Sequence, residues 1–116
     1  MAYTQNKNFT GTSAGFGQMG SVFITGTSAV TSGTLSAFEG AVFCAITFLD
    51  DTTFADANGL VAEKTQHFIN SDGVQDGISS NTAVTNGEVF PKGVTIYGRW
   101  TKITLATGKV IAYIGY

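Results

Sequence analysis

The residues of this chain that could do chemistry begin with two glycine-rich motifs. Residues 11–15 match G-x-S-x-G, which in hydrolases presents a nucleophilic serine between a strand and a helix. Ser13 would need a general base, and His67 is the single histidine of the sequence. Residues 15–20 match G-x-G-x-x-G, which binds a dinucleotide phosphate where a helix follows. A strand-like segment follows instead, so we interpret both motifs as flexible, glycine-rich chain and predict no catalysis.

Possible metal ligands and thiols are equally sparse. Asp50, Asp51, Asp56 and Asn58 could offer oxygen ligands to calcium, but their spacing does not match an EF-hand loop. We interpret them as turn residues. The lone histidine has no second histidine or cysteine at zinc spacing. Cys44 lies in an apolar run, which favours a buried structural thiol. The sequence therefore predicts no catalytic residue, no metal and no cofactor.

Length and composition indicate one domain without a nucleic-acid or membrane role. The chain has 116 residues, enough to bury a core, and 43% of them are hydrophobic. Its net charge is −2 and its six basic residues are scattered, whereas a nucleic-acid binder needs a clustered basic face. No apolar run is long enough to cross a bilayer, and no signal peptide is evident. We therefore expect synthesis in a cytoplasm.

The pattern along the chain predicts an all-β fold, a compact antiparallel β-sandwich or barrel with an extended N-terminal arm. Residues 1–20 are rich in glycine, serine and threonine and are predicted to form a flexible or extended arm. Residues 21–116 are predicted to form the β domain. Its first strand is expected at Ser21–Thr25, and its central strand at Ala41–Leu49, which is apolar on both faces. Weaker strand candidates lie within residues 30–38 and 60–70, and residues 50–59 read as a loop.

The C-terminal residues are predicted to form a β-hairpin around a turn at residues 106–109. This turn predicts three cross-strand pairs: Leu105 with Val110, Ile103 with Ala112, and Thr101 with Ile114. The first face of such a hairpin is a core face, formed by Ile103, Leu105, Val110, Ala112 and Ile114.

The second face of the predicted hairpin carries Trp100, Ile111 and Tyr113 together with Lys102 and Thr104. It is too apolar for an ordinary solvent face. A loop of the same chain could cover it, or it could be a contact with another subunit or a capsid. Aromatic residues are enriched in interface cores, so we select Trp100, Ile111 and Tyr113 as candidate interface residues.

Three segments resemble a family of small virion structural proteins from tailed bacteriophages. The most specific is Phe90–Trp100, reading FPKGVTIYGRW, followed by TGKVIAY at residues 107–113. The others are residues 26–38 and Phe48–Phe54, where LDDTTF is similar to the family's L-x-D-T-x-F stretch. The match covers residues 26–116 and is weakest in its middle.

This resemblance implies a head decoration (cement) protein located in the virion, β-rich and without catalytic residues. It implies two partners: further copies of the chain, as a homotrimer, and the major capsid protein. An alternative is a tail, knob or fibre component that recognises a host receptor or a carbohydrate, with Tyr97 or Trp100 stacking on a sugar.

Overall fold

The structure, a computed structural model, describes residues 19–32 and 40–116. Within them the prediction of an all-β fold is confirmed: the strands form a nearly closed, barrel-like antiparallel sheet and a small second sheet. The strands are β1 (Ser21–Thr25), β2 (Val30–Thr31), β3 (Val42–Phe48), β4 (Thr53–Phe54), β5 (Leu60–Ala62), β6 (Thr95–Ile103), β7 (Leu105–Thr107) and β8 (Lys109–Gly115). A short 3₁₀ helix spans Thr65–His67.

The central position predicted for residues 41–49 is confirmed. Strand β3 lies between β6 and β8 and is antiparallel to both. The large sheet runs in the order β1-β8-β3-β6-β2, and β5 also pairs with β6. Strands β4 and β7 form the second sheet. Because β3 has a paired neighbour on each side, its main-chain hydrogen-bonding groups are satisfied at both edges. Its side chains are buried except for Cys44 and Thr47, which are partly exposed, and this suits its continuous apolar sequence.

The predicted C-terminal hairpin is wrong in its pairing. The expected partners of Leu105, Ile103 and Thr101 were Val110, Ala112 and Ile114, but β6 and β8 do not pair with each other and instead flank β3. The chain leaves the large sheet at Thr104, whose N–H donates to Gly59 O at 2.8 Å and whose carbonyl accepts from Ala55 N at 2.9 Å. Leu105–Thr107 then pairs with β4. The prediction paired strands that are adjacent in sequence. In the structure each of them pairs instead with β3, which is distant in sequence.

The prediction of the core face is confirmed, although the strands pair with other partners than expected. All five of its residues are buried: Ile103, Leu105, Val110, Ala112 and Ile114. The prediction of the second face is wrong for Trp100, which is also buried in the core. The pairing of β5 with β6 shifts register between Val61 and Ala62, which leaves Thr101 as an extra residue in β6. An extra residue reverses the alternation of a strand, so Trp100 and Ile103 both point inward.

Smaller features of the chain also differ from expectation. The residues predicted to form the arm lie outside the described part except for Met19 and Gly20, and Met19 is buried in the core. Of the two strand candidates within residues 60–70, the one around Val61 is strand β5. The one at residues 67–69 is replaced by the end of the 3₁₀ helix and an isolated bridge between Ile69 and Gln75. The predicted loop at residues 50–59 contains strand β4.

Three phenylalanines join the two most distinctive segments of the sequence at one end of the core. Phe48 stacks on Phe90 with ring centroids 5.0 Å apart, and Phe54 meets both rings edge-on. Main-chain hydrogen bonds fix the same contact, since Thr52 and Phe90 exchange both of theirs at 2.8–2.9 Å. Asp51 Oδ1 accepts from Lys92 N at 3.0 Å. The LDDTTF and FPKG sequences therefore form one packed corner of the fold.

Candidate functional site

One side of the large sheet carries a patch of uncharged side chains across four strands, and the next pair on that side, Thr25 with Lys109, brings a lysine to its margin. Residues in register on paired strands point to the same side, so the pairing of β1, β8, β3 and β6 defines two cross-strand rows. We call these residues the outer face: the row Phe23, Ile111, Thr47, Thr95 and the row Ser21, Tyr113, Ala45, Tyr97. Their sequence neighbours Ile24, Val110 and Ile46 point to the opposite side and are buried in the core.

The alternation of β1 and β8 produces this face directly. Strand β8 reads as buried at residues 110, 112 and 114 and as half-buried at Ile111 and Tyr113. In β1, residues 21, 23 and 25 are exposed while Ile24 is buried. Two of the three residues selected from the sequence, Ile111 and Tyr113, therefore lie on the outer face as expected.

The outer face is open to solvent at both of its ends. Phe23 is 61% exposed on the edge strand, and Tyr97 is 76% exposed on β6. Between them Thr47 and Thr95 bind each other through their hydroxyl groups at 2.8 Å. One hydroxyl donates and the other accepts in this hydrogen bond, so it satisfies one O–H donor of the pair. The face combines exposed rings with uncharged, partly hydrogen-bonded polar groups, and that is typical of a contact surface.

Trp100, the third selected residue, is 1% exposed and belongs to the core. Its ring meets Phe68 edge-on at 5.8 Å, and it lies opposite Phe43 of the central strand. Its indole Nε1 is buried and has no hydrogen-bond acceptor. An intact fold therefore offers Ile111 and Tyr113 to a partner, but not Trp100.

Charged groups gather near the outer face around Arg99. Its Nε donates to Glu63 Oε1 at 2.7 Å, and its Nη1 donates to the main-chain oxygen of Tyr116 at 2.6 Å. The hydrogen bond from Arg99 lowers the pKa of the Glu63 carboxyl below its ordinary value. His67 Nδ1 lies 3.7 Å from the same carboxylate oxygen. This cluster ties the strand β6 to the residues after β5 and is a structural ion pair.

The remaining residues with chemical potential are dispersed. Ser13 lies outside the described residues, so the structure does not place it relative to His67. The Cys44 thiol donates to Tyr113 O at 3.4 Å, and burial raises its pKa, which disfavours the thiolate. The carboxylate of Asp50 accepts from the N–H of Asp51 at 2.9 Å, as a turn residue does. No group of three histidine, cysteine, aspartate or glutamate side chains that could hold a metal occurs within residues 19–32 and 40–116.

Sequence reasoning missed Phe23 as a member of the outer face. The signal was present: Ser21–Thr25 reads SVFIT, and its alternation separates Phe23 from Val22 and Ile24. What the sequence did not show is that β1 pairs with β8, which places Phe23 beside Ile111. Tyr97 was recognised only as a possible sugar-stacking residue, and its strand partner was unknown.

No helix in the described part of the chain is long and apolar enough to cross a membrane. Comparisons with protein-family models, with curated proteins and with solved structures find no match to this chain.

Proposed function

We propose that this chain is a structural protein of a tailed-phage virion, a decoration protein that binds the head shell and stabilises it. The observation that carries the proposal is the outer face, an uncharged surface with exposed rings at Phe23 and Tyr97. An exposed surface of this kind lowers the solubility of a protein unless a partner covers it. The sequence resemblance to small virion proteins supplies the kind of partner, the major capsid protein.

The structural role of the distinctive sequence segments also supports the proposal. Phe48, Phe54 and Phe90 pack together, and the aspartates beside them cap main-chain groups. These segments carry the resemblance, and their residues build the fold. This packing is compatible with a particle component, because the segments that carry the resemblance stabilise the fold.

We further propose that the chain forms a homotrimer in which Ile111 and Tyr113 contribute to the contact. Both side chains are half-buried in the isolated chain and lie at the middle of the outer face. The number three rests on the resemblance. Closed cyclic symmetry would allow a trimer to occupy a threefold position of a shell.

Binding to shells tests the proposal. Shells are prepared from a phage strain in which the gene for this chain is disrupted, and the purified protein is added and sedimented with them. We expect the wild type to co-sediment. Tyr97→Lys should weaken binding because it places a charge on the outer face, which the partner would have to desolvate.

Val89→Lys is the matched control, because Val89 is 53% exposed and lies in the loop before β6. It should bind as the wild type does. Equal loss in both variants, or no loss in either, would contradict a role for the outer face. A wild type that does not sediment with the shells would contradict decoration.

The exposure of Tyr97 also favours a second candidate, a carbohydrate-binding tail or fibre protein. A tyrosine ring exposed to this degree on a sheet can stack on a sugar, whereas buried Trp100 cannot. Glycan-array binding by the wild type that is lost in Tyr97→Ala and retained in Val89→Ala would favour this alternative. Absence of binding to any glycan would exclude it.

A further inference from the structure

Strand β1 is an edge strand of the large sheet. In the order β1-β8-β3-β6-β2, strand β1 is terminal, and no other strand in the described ranges pairs with its second side. Edge strands normally carry charges or proline that prevent pairing with other chains. Ser21–Thr25 reads SVFIT and contains neither. Its residues are β-branched, aromatic or small, and suit strand pairing.

The directions of the main-chain groups in β1 follow from one hydrogen bond. Ile114 N donates to Gly20 O at 2.9 Å, and the register of β1 and β8 places these two residues opposite each other. Antiparallel pairs alternate between hydrogen-bonded and non-hydrogen-bonded. The next hydrogen-bonded residues of β1 are therefore Val22 and Ile24, which bond to β8. The N–H and C=O groups of Ser21, Phe23 and Thr25 point away from it.

These outward-facing groups are self-complementary about Phe23. When two copies of β1 are antiparallel across a twofold axis at Phe23, the two Phe23 residues oppose each other as a hydrogen-bonded pair. Ser21 of each copy then opposes Thr25 of the other, again as a hydrogen-bonded pair. This single register uses every outward-facing main-chain group of the strand, and it requires no charge complement, since SVFIT is uncharged.

We propose that a second copy of this chain pairs with β1 in this register and joins two large sheets into one. The two Phe23 side chains, each 61% exposed in the single chain, then lie beside each other on the shared outer face. Aromatic cross-strand pairs of this kind stabilise a sheet. A twofold, self-complementary contact is the commonest way in which identical chains associate. The contact does not rest on the proposed function, and in a virion it would link chains that belong to different trimers.

Analytical ultracentrifugation of Phe23→Pro and Phe23→Ala tests the main-chain pairing. Proline removes the outward N–H of Phe23 and no hydrogen bond to β8, so the fold tolerates it as edge strands do. Alanine removes the ring and keeps the N–H. We expect Phe23→Pro to weaken the pairing about ten-fold or more, and to weaken it more than Phe23→Ala does. Thermal unfolding confirms that each variant is folded.

Phe23→Lys is the second variant if the proline variant does not fold. It places two ammonium groups opposite each other, which destabilises a cross-strand pair, and it alters an exposed side chain of the monomer. It should abolish the twofold contact, so that even-numbered species disappear. An unchanged assembly in Phe23→Lys, or a wild type without even-numbered species, would overturn the proposal.

Disulfide trapping tests the register in a Cys44→Ser background. The double variant Ser21→Cys with Thr25→Cys places cysteines in opposed pairs about 5.5 Å apart between Cα atoms, within disulfide range. Ser21→Cys alone leaves the two cysteines roughly 13 Å apart along the strands, beyond that range. We expect covalent dimers from the double variant under mild oxidation and not from the single one. Dimers in equal yield from both would contradict this register.

Discussion

At the residue scale, the three candidate interface residues predicted from the sequence lie in two different environments. Ile111 and Tyr113 lie on the outer face, while Trp100 packs against Phe68 inside the core. One extra residue in β6 causes the separation, because it reverses which side of the sheet Trp100 faces. Such bulges depend on the strand that pairs alongside, which is why alternation within β6 did not predict it.

Trp100→Ala should therefore unfold the monomer rather than loosen an oligomer. The truncation leaves a large cavity, and we expect a loss of about 3–5 kcal/mol in the free energy of unfolding, measured with a chemical denaturant. Trp100→Phe should cost clearly less, because it also removes the buried Nε1–H that has no acceptor. A stable Trp100→Ala monomer with weakened association would show that this residue is an interface residue after all.

Gly77 is expected to be irreplaceable for two separable reasons. Its φ is +36°, and a Cβ at this position would collide with the main-chain oxygen of Leu60. Gly77→Ala should cost about 2–4 kcal/mol of unfolding free energy from strain and overlap together. Gly73→Ala has a positive φ but open space and should cost only about 1–2 kcal/mol. Equal costs in the two variants would contradict the predicted collision.

At the element scale, much of the fold was predictable where strands are buried on both sides or alternate cleanly. Residues 41–49 are apolar throughout, and they form the central strand β3. The alternation in β8 predicted its buried residues correctly. The partners of β6 and β8 were not predictable, because β3 enters between them from far along the chain. The outer face followed from those long-range pairs, so only its members on β8 were found.

The ion pair between Glu63 and Arg99 holds β6 to the residues after β5 and should give a small pH dependence. Since Arg99 lowers the pKa of Glu63 in the folded chain, the pair stabilises above the ordinary glutamate pKa of about 4.3. That stability is lost as the pH falls through the lowered folded value. Both side chains are partly exposed, so the contribution at pH 7 is about 0.5 kcal/mol.

Glu63→Gln tests this pair through denaturant unfolding at several pH values. The variant should be less stable than the wild type at neutral pH, and the difference should vanish in acid, where both forms are uncharged at this position. Glu88→Gln is the control, because Glu88 is exposed and forms no ion pair with the described residues. A difference between Glu63→Gln and wild type that persists unchanged at acidic pH would contradict the assignment.

At the scale of the whole molecule, the described residues form a β-sheet scaffold, and we propose its outer face as the surface that contacts partners. The segments that carry the resemblance form the aromatic corner of Phe48, Phe54 and Phe90. The ion pair between Glu63 and Arg99 joins strand β6 to the residues after β5. Among the described residues, the outer face and the free edge of β1 are the surfaces that we propose for contacts with partners. The two meet at Phe23, so the proposed pairing and the proposed shell binding would involve adjoining surfaces.

The measurement that tests the proposed virion role most directly is the molar amount of the chain in purified particles of the phage that we propose encodes it. Quantitative mass spectrometry with isotope-labelled peptides gives its ratio to the major capsid protein. A decoration protein should be present at a ratio of the same order as the capsid protein itself. A ratio lower by about an order of magnitude or more would indicate a tail or fibre component, by the symmetry of those assemblies. Absence of the chain from purified particles would contradict a virion role altogether.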